Sequence, residues 1–347
     1  MKRRVFLKTV GGAAGAALAV PTMLAQDAFS DKVADLPRRP LGRTGQKLSV
    51  VGFPGLGLIH DDQQKCTAAV HAAFEKGVNY FDVAPAYGNG QCETKLGIAL
   101  EGLDRSKYFL ACKTKKRDAA GARQELENSL KMAKTDHFDL YQLHHLVRPS
   151  EVKEALGPNG ALEAILKAKE EGKIKYIGFS AHTTKAAIAV MQGFKFDTVM
   201  FPINFVEYYT RGFGKEVLAL AAEQGAGVLA IKPLSWGTWP KDVEKTRQWW
   251  YRTVETIDDI QLAMRFSLSQ SNVVAGIPPS FLDLVERSIT ACKNIRPLDE
   301  PGMAKLKQMA ENRESIFARE EAQVALNQHP WIPAYPESPH ECGHYPA

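Results

Sequence analysis

Eight short, nearly continuous apolar runs recur along this chain roughly every 30 residues, with stretches of helical period between them. They are "LSVVGF" (Leu48–Phe53), "VNYFDV" (Val78–Val83), "KYFLACKT" (Lys107–Thr114), "FDLYQLHH" (Phe138–His145), "KIKYIGFS" (Lys173–Ser180), "DTVMFPI" (Asp197–Ile203), "GVLAIKP" (Gly227–Pro233) and "NVVAGIP" (Asn272–Pro278). Segments such as "QKCTAAVHAAFEKG" and "ARQELENSLKMA" supply the helices. A strand that is apolar on both faces must be covered on both, which calls for a parallel sheet with helices packed over it. Eight such units predict an α/β fold closed into a (β/α)8 TIM barrel. The rival is an open doubly wound sheet, whose first strand leads into G-x-G-x-x-G. Here the first strand leads into "GFPGLGLIH", with its glycines in the wrong order.

The expected organisation is a single barrel domain over 39–296, preceded by a signal segment (1–25) and a linker (26–38). An irregular extension (297–347) follows, with a helix over "MAKLKQMAENRESIFAREEAQVAL" and then a Pro-rich tail. The opening "MKRRVFLKTVGGAAGAALAV" has paired arginines ahead of a weakly apolar, Gly/Ala-rich stretch. It resembles a twin-arginine export signal and is too short and small-residued for a stable membrane span. That predicts the twin-arginine export machinery as a partner, a periplasmic or secreted location, and no stable span after the signal is removed. The net charge of +5 is mild, and no basic block is interleaved with aromatics, so nucleic acid is not an expected partner. Five cysteines without a C-x-x-C pair read as scattered thiols rather than a zinc or iron–sulfur site.

Barrels carry their chemistry at the C-terminal ends of the strands. Those ends hold Asp82, Lys113 and His144, with Tyr87 in the loop after the second strand. Side chains alternate along a strand, so Tyr80 and Asp82 share a face, as do Leu140, Gln142 and His144. His145 is expected to face the helix layer. A tyrosine is too weak an acid at neutral pH unless a nearby cation favours its anion. Lys113 supplies the cation and Asp82 its counter-ion. His144 would orient a substrate carbonyl, and Tyr87 would protonate its oxygen as hydride reaches carbon. Run backwards, this is alcohol oxidation.

The set, in this order, resembles the aldo-keto reductase family. The resemblance is carried by "FDVAPAYG", "ACKT" and "DLYQLHHL", with support from "LGRTGQKLSVVGF", "GKIKYIGFS" and "GVLAIKPL". It implies Asp82, Tyr87, Lys113 and His144 as the catalytic four, a small carbonyl or alcohol as substrate, and NADP(H), with NAD(H) the alternative, as cofactor. It further implies cofactor contacts at Ser180, Asn204, Pro233, Leu234, Gly237, Ile277 and Glu286. The chain departs from the family pattern where two amides usually hold the nicotinamide. Ser180 is followed by Ala181 instead of asparagine, and the strand-six glutamine is Met200. The tyrosine three residues further on is Ile203, and Glu286-Arg287 replaces the usual Glu-Asn.

Two further features bear on substrate. "PLSWGTWPKDVEKTRQWWYRT" offers Trp236 as an aromatic substrate wall, with Trp249 and Trp250 either packed or exposed to substrate. His182, in the loop after strand five, is a second candidate for substrate contact. Two other readings use the same residues: an exported metal-dependent hydrolase or isomerase built on Asp82, His144 and His182, with His60 nearby, and an exported binding protein that has lost the cofactor. His340, Cys342 and His344 in the tail also have metal-capable spacing.

Overall fold

A computed structural model describes residues 36–327. It opens with a small antiparallel hairpin of β1 (Arg38–Pro40) and β2 (Lys47–Ser49). Eight parallel strands follow: β3 (Phe53–Pro54), β4 (Tyr80–Asp82), β5 (Phe109–Thr114), β6 (Phe138–Leu146), β7 (Ile174–Ala181), β8 (Thr198–Pro202), β9 (Gly227–Ile231) and β10 (Val273–Ile277). Each pairs with its neighbour in chain order. The ring closes where Val51 bridges to Gly276, with Gly52 N donating to Gly276 O at 3.0 Å and Gly276 N to Val50 O at 2.9 Å. The fold is the expected (β/α)8 barrel.

The first expected strand, Leu48–Phe53, is divided between two jobs. Leu48 belongs to the hairpin, which lies across the N-terminal end of the barrel. Leu41 and Leu48 are fully buried there in the interior cluster that includes Tyr80, Phe109, Leu140, Met200 and Leu229. Ser49 N donates to the Asn79 side chain at 2.7 Å, and Asn79 N donates to Ser49 Oγ at 3.1 Å. That exchange turns the chain from hairpin into barrel.

The helices are α1 (Gln63–Glu75), α2 (Gln91–Leu100), α3 (Ala119–Met132), α4 (Pro149–Leu156), α5 (Ala161–Glu170), α6 (Thr184–Gly193), α7 (Phe205–Arg211), α8 (Lys215–Gln224), α9 (Ile257–Ser269), α10 (Leu282–Cys292), α11 (Glu300–Ala310) and α12 (Ala318–Ala325). Side-chain caps start many of them: Asp62 on α1, Asp118 on α3, Thr183 on α6, Asn204 on α7, Thr256 on α9 and Asp299 on α11. Each such cap is worth about 1 kcal/mol. The larger hydrophobic cluster fills the space between barrel and helices. Among the described residues no helix is long and apolar enough to cross a membrane.

The helix expected over Met303–Leu326 is two helices, α11 and α12. Asn312 takes a left-handed φ of 57° between them. The fully buried Glu207 carboxylate of α7 holds the break by accepting from Ser315 Oγ and, at 2.8 Å, from Ile316 N. The break swings Phe317 to the barrel mouth. Cys66, Cys92, Cys112 and Cys292 are buried free thiols. The signal segment, most of the linker, Cys342 and the tail histidines lie outside the described residues.

Candidate active site

Strand ends β4, β5 and β6 bring four of the singled-out residues together at the mouth. Lys113 is fully buried, and Asp82, Tyr87 and His144 are nearly so. The Lys113 ammonium donates to Asp82 Oδ1, to the Tyr87 hydroxyl at 3.1 Å and to the Val83 carbonyl at 3.2 Å. It also lies 4.8 Å from the Tyr87 ring centroid. The His144 ring stands edge-to-face against Tyr87, with centroids 5.6 Å apart. Tyr80 donates to Asp82 Oδ2 at 3.0 Å. Burial raises the Asp82 carboxyl, and Lys113, Tyr80 and Gln142 pull it back. Burial and the Asp82 charge push Tyr80 well above the usual phenol range, so it remains a proton-bearing donor.

Alternation along β6 ends in a bulge. Leu143 pairs with Phe179 and Leu146 with Ala181, so three steps on β6 face two on β7. His145 takes up the extra residue with a φ of 58°. It does not simply continue the outward-facing row: its ring packs 4.3 Å from that of His182, a pocket residue. Arg117 fixes the bulge. Its Nη2 donates to the carbonyls of His144 (2.9 Å) and His145 (3.3 Å) and to Glu151 Oε1 (3.1 Å).

The pocket around Tyr87 and His144 has a volume of only about 60 Å³. Ser180, His182 and Ile277 line it, as do Met200 and Ile231. Ser180 Oγ accepts from His145 N at 2.8 Å. The other expected contacts lie elsewhere. Asn204 is fully buried and caps α7 through Glu207 N at 3.0 Å. Leu234 is buried behind the mouth, and Pro233 is buried beside it without lining the pocket. Gly237, at φ 79°, packs where a Cβ would meet the Glu314 carbonyl at 2.7 Å. Trp236 sits between the guanidiniums of Arg252 (4.1 Å) and Arg313 (4.3 Å), outside the pocket, and donates to Met309 O at 2.9 Å. Glu286 is on the outer face of α10, paired with Lys76 of α1 at 2.9 Å.

Trp249 and Trp250 are buried and line the mouth. Sequence reasoning missed Lys232. It is 7% exposed, faces the pocket, and has its Nζ 3.4 Å from His182 Nε2. Its position at the end of the seventh barrel strand was the available signal.

The metal reading fits this geometry poorly. Asp82 is committed to Lys113, His182 adjoins Lys232, and His60 stacks on Phe281 at 4.9 Å. Among the described residues no three or more His, Cys, Asp or Glu side chains gather as metal ligands.

A family model for the aldo/keto reductase family matches residues 56–311, so the chain belongs to that family. It is 29% identical over 220 residues to "Probable aldo-keto reductase 1" of Glycine max, covering 57% of this chain and 59% of that protein. It is 28% identical over 212 residues to L-galactose dehydrogenase of Arabidopsis thaliana, covering 57% and 66%. The chain thus matches less than two thirds of the length of either relative. Among solved structures, the holo form of aldo-keto reductase AKR11C1 from Bacillus halodurans superposes with a TM-score of 0.65 at 23% identity, over 80% of this chain and 98% of that one. An aldo-keto reductase from Klebsiella pneumoniae in complex with NADPH gives a TM-score of 0.61 at 21% identity, over 81% and 98%.

The donor set fits a nicotinamide cofactor in its chemistry: a phenol on a buried ammonium–carboxylate pair, facing an apolar wall of Met200, Ile231 and Ile277. Ser180 would supply a hydroxyl to it. The usual amide partners are absent at Ala181 and Met200.

Proposed function

We propose that this chain reduces an aldehyde or ketone, or oxidises the matching alcohol, with NADP(H) and with Tyr87 as general acid and base. NAD(H) is the alternative cofactor. The observation that carries the reading is the Lys113 ammonium in contact with both Asp82 and the Tyr87 hydroxyl. A cation beside a phenol stabilises the phenolate left when the proton departs, and Asp82 keeps that cation charged in a buried site. His144, held by its backbone carbonyl on Arg117, stands edge-on to Tyr87, where a substrate oxygen can be met by both rings. The nicotinamide, when bound, supplies or accepts the hydride. Met200, Ile231 and Ser180 line the pocket and would be the residues to hold its ring.

The test is consumption of NADPH with a panel of aldehydes, alongside a fluorescence titration with NADPH. Trp249 and Trp250 line the pocket, so NADPH bound there should change tryptophan emission. Absence of both turnover and a fluorescence change would refute the reading.

The twin-arginine-like start supports export as a folded protein to the periplasm or beyond. Cofactor would then be loaded before export and retained, passing hydride between two substrates in turn. Protein recovered from the periplasm should release near-stoichiometric nicotinamide nucleotide on denaturation. Empty protein would refute retention.

A further inference from the structure

The acid–base set is joined to a second phenol that the proton transfer above does not use. Tyr80 stands two residues before Asp82 on β4, so both side chains point to the same face of the strand. Its ring is fully buried and stacks on Phe109 of β5 with centroids 6.0 Å apart. It also presses on the backbone at Gly52, where a Cβ would meet Tyr80 Cδ1 at 2.8 Å. Held in this way, the hydroxyl donates to Asp82 Oδ2 at 3.0 Å. The other oxygen, Oδ1, accepts from the Lys113 ammonium, which also donates to the Tyr87 hydroxyl. A line of contacts therefore runs Tyr80–Asp82–Lys113–Tyr87. The rest of the interior cluster around Tyr80 is apolar, with Leu140, Met200 and Leu229 among its members. Phenylalanine would fill the same space without burying a hydroxyl, and a buried hydroxyl is costly unless it is hydrogen-bonded.

We propose that Tyr80 is a positioning residue for the proton transfer: its hydrogen bond keeps the proton of the buried pair on Lys113 and thereby sets how readily Tyr87 gives up its own. The proposal rests on the carbonyl-reducing function above, in which Tyr87 is the acid. One proton lies between Lys113 Nζ and Asp82 Oδ1, and the pair is neutral overall on whichever atom it sits. A donor on Oδ2 stabilises the carboxylate more than the carboxyl, so it favours the ammonium–carboxylate arrangement. Burial already raises the Asp82 carboxyl and works the other way. Without the Tyr80 donor the proton passes more readily to Asp82. Lys113 is then an uncharged amine, and Tyr87 loses the cation that favours its anion. The groups that face this pair are Tyr87 of the loop after β4, Gln142 and His144 of β6 and, from the helix layer, Glu93 of α2; His182 and Lys232 line the same pocket. All of them are common to wild type and Y80F, so the difference between the two reports the hydroxyl.

The experiment follows Tyr87 by carbon-13 NMR of the full chain labelled at tyrosine Cζ, in wild type and Y80F, with Y87F to assign the signal. A hydrogen bond to a charged group corresponds to about one to two pKa units. Part of that reaches Tyr87 through Lys113, so the Tyr87 titration midpoint should rise by about one unit in Y80F. The alkaline limb of kcat/KM for NADPH-dependent reduction of an aldehyde should move up with it, and kcat near neutral pH should fall roughly three- to ten-fold, as for a weakened general acid. Placing 3-fluorotyrosine at position 80 gives a stronger donor of nearly the same shape. It should move the midpoint down, and it keeps the test in force if Y80F does not fold. An unmoved midpoint in folded Y80F, or with 3-fluorotyrosine, overturns the proposal even where the melting temperature falls, because a Tyr80 that only packs would change stability alone. A midpoint that shifts as expected without reduction of any carbonyl supports the Tyr80–Tyr87 coupling while refuting the proposed function. Carbonyl reduction with an unmoved midpoint overturns the coupling and leaves that function standing.

Discussion

Replacing Lys113 by methionine should destabilise the protein in a pH-dependent way. Methionine approximates the lysine stem, so packing is largely kept while Asp82 loses its ammonium partner. Asp82 is 3% exposed, and its remaining direct donor is Tyr80 at 3.0 Å, with Gln142 close by. Breaking a buried ion pair by removing one partner costs about 3–5 kcal/mol when the other charge remains. In a barrel of this size that corresponds to a fall in melting temperature of roughly 6–15 °C. Asp82 has an escape, because burial already raises its carboxyl and the loss of Lys113 raises it further. A carboxyl whose folded pKa exceeds its unfolded one contributes stability fully below the unfolded value. That contribution is lost as pH rises through the folded value. The deficit of K113M relative to wild type should therefore be small near pH 5 and full near pH 8. Adding D82N should recover most of it at pH 8. Thermal unfolding of wild type, K113M and D82N/K113M at the two pH values measures all three terms. An equal deficit at pH 5 and pH 8, or no recovery by D82N, would refute the view that the buried pair is held by its charges.

Y87F should lower turnover by about 10²–10⁴, the range for a lost general acid, while the NADPH fluorescence titration is retained. R117M should lower kcat more than it raises KM, because Arg117 holds the His144 and His145 carbonyls at the bulge and touches no substrate; an unchanged kcat would count against that positioning role. Burial pushes Glu320 up to about 7, so its stabilising contribution is present below the ordinary carboxyl range and is lost as pH rises through about 7. E320Q should therefore gain on wild type towards pH 8, on the order of 3 kcal/mol, as read by denaturant unfolding at pH 5 and pH 8.

Strand period carried most of the fold into view. Apolar runs with covering helices leave few alternatives, and eight of them close a barrel. The convergence of Asp82, Lys113 and His144 followed from strand ends and alternation alone. Errors arose where long-range contacts override local pattern. Alternation fails at His145, because a guanidinium 28 residues away holds a bulge open. The helix over Met303–Leu326 breaks because Glu207, 109 residues before Ile316, captures the backbone between the two halves. Trp236 looked like a substrate wall because it follows a strand end. It is instead stacked between two arginines, one of them in the C-terminal extension. Lys232 was passed over because "AIKPL" reads as the finish of an apolar strand, and its left-handed turn has no marker such as glycine.

These overrides share a location. Arg117 and Glu151 shape the end of β6, Lys232 ends β9 under backbone strain, and Glu207 delivers Phe317 to within 5.7 Å of the His182 ring. Buried charges on several elements thus shape the mouth around the acid–base set. Burying charge is costly unless each group is paired and hydrogen-bonded. A fold that needed only a stable barrel has cheaper apolar solutions at these positions. The Asp82–Lys113–Tyr87 contacts meet the needs of proton transfer. By the same argument, the remaining buried charges set the shape of the mouth in which the proposed proton transfer would occur.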